Sequence, residues 1–187
     1  MADLESVLAD LAKRLGDCGV PYMVIGGMAN AVWGYPRSTV DLDLAVLLDP
    51  GAASTLIQSL GKPYQCRVGN PEQFVSETRV LPMLHSGSVQ IDLIFALLPF
   101  EEEAIERAVN IDVLGVAVRF CTPEDLVLHK IVSTRERDRQ DVREILRRRR
   151  DSLDRSYLDP RVHELSVLLE RPELEDEYHN CLDNQEA

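Results

Sequence analysis

The segment Val40-Asp41-Leu42-Asp43-Leu44-Ala45-Val46 alternates as a strand, with acidic residues between apolar ones as far as Leu44. Val40, Leu42, Leu44 and Val46 fall on one face, and Asp41 and Asp43 share the other, about 7 Å apart. Upstream, Pro21-Tyr22-Met23-Val24-Ile25 reads as a buried strand closed by Gly26-Gly27. Met28 to Trp33 then reads as a helix of about two turns, with Gly34 able to cap it and Pro36 forbidding its continuation. A glycine turn feeding a helix N-terminus offers free backbone N–H groups and the positive end of the helix dipole, a place for phosphate. Paired carboxylates beside such a cradle suit divalent ions that bridge a nucleoside triphosphate.

Each piece alone also has a plain structural reading. A glycine pair after a strand makes a tight turn, and Asp-x-Asp at a strand end is often only solvated. Asp92 adds a third element. In Val89-Gln90-Ile91-Asp92-Leu93-Ile94-Phe95 the apolar positions alternate inward, leaving Gln90 and Asp92 opposite. Gly87 marks a turn after Val80 to His85, so the two runs read as a hairpin. Should the Asp92 strand lie beside the Asp41–Asp43 strand, three carboxylates converge, and a buried set of like charges is costly without cations. By itself Asp92 reads as an edge-strand charge that discourages aggregation.

These motifs, with Gly34-Tyr35-Pro36-Arg37-Ser38-Thr39 leading into the acidic strand, resemble the nucleotidyltransferases of the DNA polymerase β superfamily. The resemblance implies that Gly26 and Gly27 hold the triphosphate. It implies that Asp41 and Asp43 bind two Mg²⁺ ions, and that Asp92 ligates one metal and helps deprotonate the attacking hydroxyl. Arg37 and Thr39 become phosphate or ribose contacts. Gly27 stands where the commoner small members carry serine, which removes a hydroxyl contact to phosphate.

The second half narrows the resemblance. Thr122-Pro123-Glu124-Asp125 is a helix start, with Thr122 as N-cap, Pro123 at N1 and Asp125 as a capping-box partner. Lys130 on that helix, followed by Arg137-Asp138-Arg139-Gln140-Asp141, resembles the small nucleotidyltransferases of abortive-infection and toxin–antitoxin systems. That likeness implies a phosphate contact for Lys130 and a supporting role for Asp138 or Asp141. Spacing alone favours a solvated lysine, with aspartates that pair with neighbouring arginines.

The expected fold class is α/β (α+β): a mixed β-sheet nucleotidyltransferase core over residues 1–121 with flanking helices, and a helical region over 122–187 packed on it. Leu4, Val7, Leu8, Leu11 and Leu15 mark a first amphipathic helix. Further helices are expected over 52–60 and 99–109, a strand over Val116 to Phe120, and apolar helix positions at Leu165, Val167, Leu168 and Leu169.

A net charge of −12 over 187 residues disfavours broad nucleic-acid binding. Yet Arg135 to Arg150 holds eight arginines against four acidic residues, and Asp151 to Ala187 holds eleven acidic residues against three arginines. The arginine-rich stretch could grip RNA phosphates, dock the acidic tail, or simply be solvated. Cys18, Cys66, Cys121 and Cys181 are dispersed, which fits reduced thiols better than zinc or disulfides. No apolar run approaches the roughly 20 residues that span a bilayer. The start Met1-Ala2-Asp3-Leu4-Glu5 lacks the character of a signal peptide, so the cytoplasm is the expected compartment.

The expected activity is Mg²⁺-dependent transfer of a nucleoside monophosphate from a triphosphate such as ATP to an acceptor hydroxyl on tRNA or protein, in a toxin-like role. The alternative is an antitoxin-type protein that modifies a cognate partner or merely binds it.

Overall fold

The computed structural model describes residues 3–36 and 38–183, so Arg37 lies outside the described residues. The chain forms two compact units, Met1–Met28 with Ser38–Cys121, and Ala29–Arg37 with Thr122–Ala187.

The first unit is built on one mixed sheet. Its strands are β1 (Tyr22–Val24), β2 (Asp41–Val46), β3 (Tyr64–Cys66), β4 (Val80–His85), β5 (Val89–Phe95), β6 (Val109–Val113) and β7 (Val116–Phe120). Their order is β3-β4-β5-β2-β1-β7-β6. β2 runs parallel to β5 and β1 parallel to β7, and the other neighbours are antiparallel. The period of two in the sequence becomes the two faces of this sheet. Leu42, Leu44, Leu81, Met83, Ile91 and Leu93 are wholly buried, while the residues between them on β2, β4 and β5 are half-buried or exposed. Helix α1 (Leu4–Asp17) buries Val7, Leu8, Leu11 and Leu15, the stripe its 3.6-residue period dictates. α2 (Gly26–Trp33), α3 (Ala53–Leu60), α4 (Pro71–Thr78) and α5 (Pro99–Arg107) complete the helices up to Cys121.

Three local expectations are corrected. Val40 is 72% exposed and outside β2, because pairing begins at Asp41 opposite Gln90. Gly26 and Gly27 are the first residues of α2, two positions before the expected start. The helix expected over 99–109 ends at Arg107, because Val109 already pairs with Phe120 in the β6–β7 hairpin. β3 and α4 went unforeseen. β3 has three residues and owes its form to pairing with β4, and α4 starts on Asn70, whose side chain accepts from the Gln73 N–H at 3.3 Å.

In the second unit, the end of α2 joins α6 (Pro123–Ile131), α7 (Glu136–Arg149), α8 (Arg155–Leu168) and α9 (Glu173–Asp183). Thr122 caps α6 by accepting from the Asp125 N–H at 3.2 Å, and the Asp125 carboxylate accepts from the hydroxyls of Thr122 and Tyr157, each at 2.7 Å. Leu126, Ile131, Val142, Ile145, Leu158, Val162 and Tyr178 form the core. Leu165 is buried, whereas Val167, Leu168 and Leu169 are exposed. The arginine run is largely spoken for. Arg147 and Arg148 pair with Glu144, and Arg149 donates to the carbonyls of Trp33 (3.2 Å) and Val32 (2.9 Å). Among the described residues, no helix is long and apolar enough to cross a membrane.

Candidate active site

Parallel pairing of β2 with β5 places Asp41 opposite Gln90 and Asp43 opposite Asp92. Side chains two apart share a face, so all four project from the same side of the sheet. The edge-strand reading of Asp92 is thereby replaced, since β5 lies between β4 and β2. Asp41, Asp43 and Asp92 are each half-buried. The Asp41 Oδ1 atom is buried without a hydrogen-bond partner. Burial pushes the Asp92 carboxyl above its ordinary range, the negative charge of Asp41 raises it further, and the Arg67 charge opposes both.

The glycine pair lies against this group. The Ile25 N–H donates to the Asp43 carbonyl at 2.9 Å, which draws the end of β1 onto β2. Gly26 has φ +62°, and a Cβ built on it would stand 2.0 Å from Asp43 Oδ2 and 2.7 Å from Asp43 Cβ. Only glycine lets the backbone turn here and the carboxylate lie this close. A Cβ on Gly27 would stand 2.5 Å from Thr39 Oγ1. The Thr39 hydroxyl itself donates to the Asp41 carbonyl at 3.2 Å, fixing the approach to β2. Asp41, Asp43, Asp92, Gly26, Gly27 and Thr39 are thus neighbours within the first unit.

Do these residues fit the Mg²⁺ implied by the resemblance? The donor set is hard oxygen, which suits magnesium, and an orphaned buried carboxylate oxygen beside a second carboxylate is a group in want of a cation. As they stand the carboxylates are not drawn together: among the described residues, no three His, Cys, Asp or Glu side chains are spaced to hold a metal ion. The register of β2 and β5 nonetheless sets all three on one face, with an oxygen of Asp41 lacking any partner. The residues fit.

Lys130, Asp138 and Asp141 come together in the second unit. The Lys130 ammonium is buried and donates to Asp138 Oδ1 at 2.9 Å and to Asp141 Oδ2 at 2.7 Å. Asp138 also accepts from the Ser133 hydroxyl and the Arg135 guanidinium, each at 2.8 Å. Burial works to raise the Asp138 carboxyl, but the hydrogen bonds from Lys130 and Ser133, with the charges of Lys130 and Arg135, hold it below the usual range. The solvated reading of Lys130 is therefore corrected, since both aspartates bond to it, while the expected pairing of an aspartate with a neighbouring arginine holds for Asp138 and Arg135.

Sequence reasoning passed over Arg67. It follows β3, donates through Nη1 to Gln90 Oε1 at 3.0 Å, and acts on Asp92. No motif marks it, because its place depends on a strand too short to read.

Comparison with known proteins agrees with this architecture. An antigenic nucleotidyltransferase-like protein from Paracoccidioides brasiliensis superposes with a TM-score of 0.59 at 16% identity, covering 94% of this chain and 92% of that one. The antibiotic-resistance factor ANT(2'')-Ia gives 0.56 at 14% identity, over 94% and 96%. The lincosamide antibiotic adenylyltransferase LnuA gives 0.51 at 15% identity, over 78% and 96%. No curated protein sequence matches the chain. A family model described as a nucleotidyltransferase of unknown function (DUF6036) matches residues 2–183, and the chain belongs to that family.

Proposed function

We propose that this chain is an Mg²⁺-dependent nucleotidyltransferase that moves a nucleoside monophosphate from a triphosphate to an acceptor hydroxyl and releases pyrophosphate. The observation that carries the reading is the register of β2 and β5, with Asp43 opposite Asp92 and an unpartnered Asp41 oxygen beside them. Asp41 and Asp43 would hold two ions, and Asp92 would complete the set on the acceptor side. When bound, such ions stabilise the entering and leaving oxygens of an in-line displacement.

The chain's own residues supply the rest. Gly26 and Gly27 bring backbone close to Asp43 at the start of α2, where N–H groups can face phosphate. Asp92, whose carboxyl burial and the Asp41 charge raise above the ordinary range, is a stronger base than an exposed aspartate and so is suited to take a proton from an approaching hydroxyl. Thr39 keeps the triphosphate role that the resemblance implies, as does Arg37; the phosphate contact implied for Lys130 is a separate proposal for the second unit, where Asp138 and Asp141 hold its ammonium. A catalytic core over 1–121 and a helical region over 122–187 belong to the same proposal.

The acceptor we favour is RNA, such as tRNA, or a protein, in a toxin-like cytoplasmic role. A second reading, a small-molecule acceptor, is favoured by the similarity to ANT(2'')-Ia and the adenylyltransferase LnuA. An antitoxin-type protein that modifies or only binds its partner is weighed against by the three carboxylates, which mere binding does not require.

The test is to incubate purified protein with each labelled triphosphate, Mg²⁺, and whole-cell RNA or protein. Wild type should label one fraction, and Asp43→Ala should abolish labelling while circular dichroism stays unchanged. Equal labelling by Asp43→Ala would refute the assignment.

A further inference from the structure

The sheet order gives the candidate site two flanks. On the β1 side of β2 lies the glycine pair, with Gly26 against Asp43. On the other side β5 is followed by β4 and then β3. Pro82 pairs with Asp92 and Leu84 with Gln90, so both project on the carboxylate face, and both are half-buried. Gln65, opposite Leu84, is exposed on β3.

Arg67 closes this second flank. Its backbone N–H donates to the Pro82 carbonyl at 3.0 Å, and its guanidinium donates to Gln90 Oε1 at 3.0 Å. Gln90 stands two residues from Asp92, on the same face. The Arg67 side chain is otherwise exposed, and its partner is a neutral amide. Among the described residues Arg67 makes no ion pair; Arg119 and Arg149 make none either, but they donate to backbone carbonyls, whereas Arg67 stands beside the carboxylate face. A guanidinium fixed by one hydrogen bond to a neutral amide, close enough to Asp92 for its charge to act there, keeps donors free for an anion, and its planar fork matches phosphate.

We infer that the Pro82–Leu84 strip and Arg67 form the acceptor side of the site, and that the acceptor carries a phosphate group beside its reacting hydroxyl. This rests on the metal-site reading above, which puts the triphosphate on the glycine flank and leaves the Arg67 flank for the acceptor. Pro82 and Leu84 offer an apolar floor for a sugar or base, and Arg67 binds the phosphate. A ribonucleotide end has this chemistry, either as RNA or as a small phosphorylated compound. A neutral or cationic acceptor gains nothing from Arg67.

Binding measurements on the full chain test this apart from turnover. A fluorescent single-stranded oligoribonucleotide and a 5′-mononucleotide are titrated separately, each with Mg²⁺ and a saturating non-hydrolysable triphosphate. Arg67→Glu should weaken one or both probes about tenfold or more, Arg67→Lys should retain most of the affinity, and binding of the triphosphate analogue should stay within about twofold. Arg67-dependent binding of the oligonucleotide alone makes the acceptor RNA, and such binding of the mononucleotide makes it a small phosphorylated compound. Absence of both in wild type, or indifference to Arg67→Glu, overturns the inference. A parallel loss of analogue affinity also overturns it, by making Arg67 a triphosphate contact. The underlying metal reading is read separately, from whether Asp43→Asn loses the Mg²⁺-dependent analogue.

Discussion

At the scale of residues, Gly26 and Asp43 depend on each other. A methyl group at position 26 would need both a left-handed φ and room already held by Asp43. Gly26→Ala is therefore expected to cost roughly 1–3 kcal/mol of stability. Transfer should fall further, by about a hundredfold, because a misplaced Asp43 spoils the alignment of reacting groups. Chemical denaturation alongside turnover separates the two effects. Asp92 behaves in the opposite sense. Its carboxyl is raised above the unfolded value, so its ionisation opposes folding: the fold is favoured at low pH and loses that advantage as pH rises through the carboxylate range. Asp92→Asn should raise the melting temperature of the Mg²⁺-free protein at pH 7, by roughly 1–2 °C, while abolishing transfer. A fall in melting temperature would contradict the repulsion described. The alternation of residues 40–46 and 89–95 made these three aspartates legible. Arg67 was not, because its role arises only when β3 folds back on β4.

At the scale of elements, the pairing of α6 with α7 is organised by Lys130. Its ammonium bridges two buried carboxylates, so Lys130→Met removes the buried cation they share and leaves Asp138 only the exposed Arg135, at a cost of about 3–5 kcal/mol. Asp138 titrates below the ordinary aspartate range, so its contribution is present above about pH 4 and disappears as pH falls through its lowered value. Helical signal from this unit should hold at pH 5 and fall below about pH 4, followed by far-ultraviolet circular dichroism. The capping signal at Thr122-Pro123 made the start of α6 readable. The burial of Lys130 was not readable, since local spacing cannot tell an aspartate that meets an arginine from one turned inward to a lysine eight or eleven residues earlier.

At the scale of the molecule, the second unit includes a segment far away in sequence. Residues 29–37 cluster with Thr122–Ala187, and Arg149 joins them through the carbonyls of Val32 and Trp33, with its guanidinium 5.2 Å from the Trp33 ring centre. A fragment of residues 122–187 lacks these partners. It should melt at lower temperature and less cooperatively than the same helices in the full chain, as checked by calorimetry. Sequence periodicity shows which face of a helix is apolar but not which distant segment covers it, so this grouping was hidden. The charge asymmetry was plain in the sequence. Its use was not: the arginines of α7 serve Glu144, Glu177 and the end of α2 before any outside ligand.

Asp41, Asp43 and Asp92 are proposed to hold divalent metal jointly. Anomalous diffraction from crystals grown with Mn²⁺ and a non-hydrolysable triphosphate tests it directly. Two peaks are expected, within about 2.0–2.4 Å of carboxylate oxygens of these three residues and bridged by the phosphates. Metal bound to the triphosphate alone, or to other side chains, would contradict it.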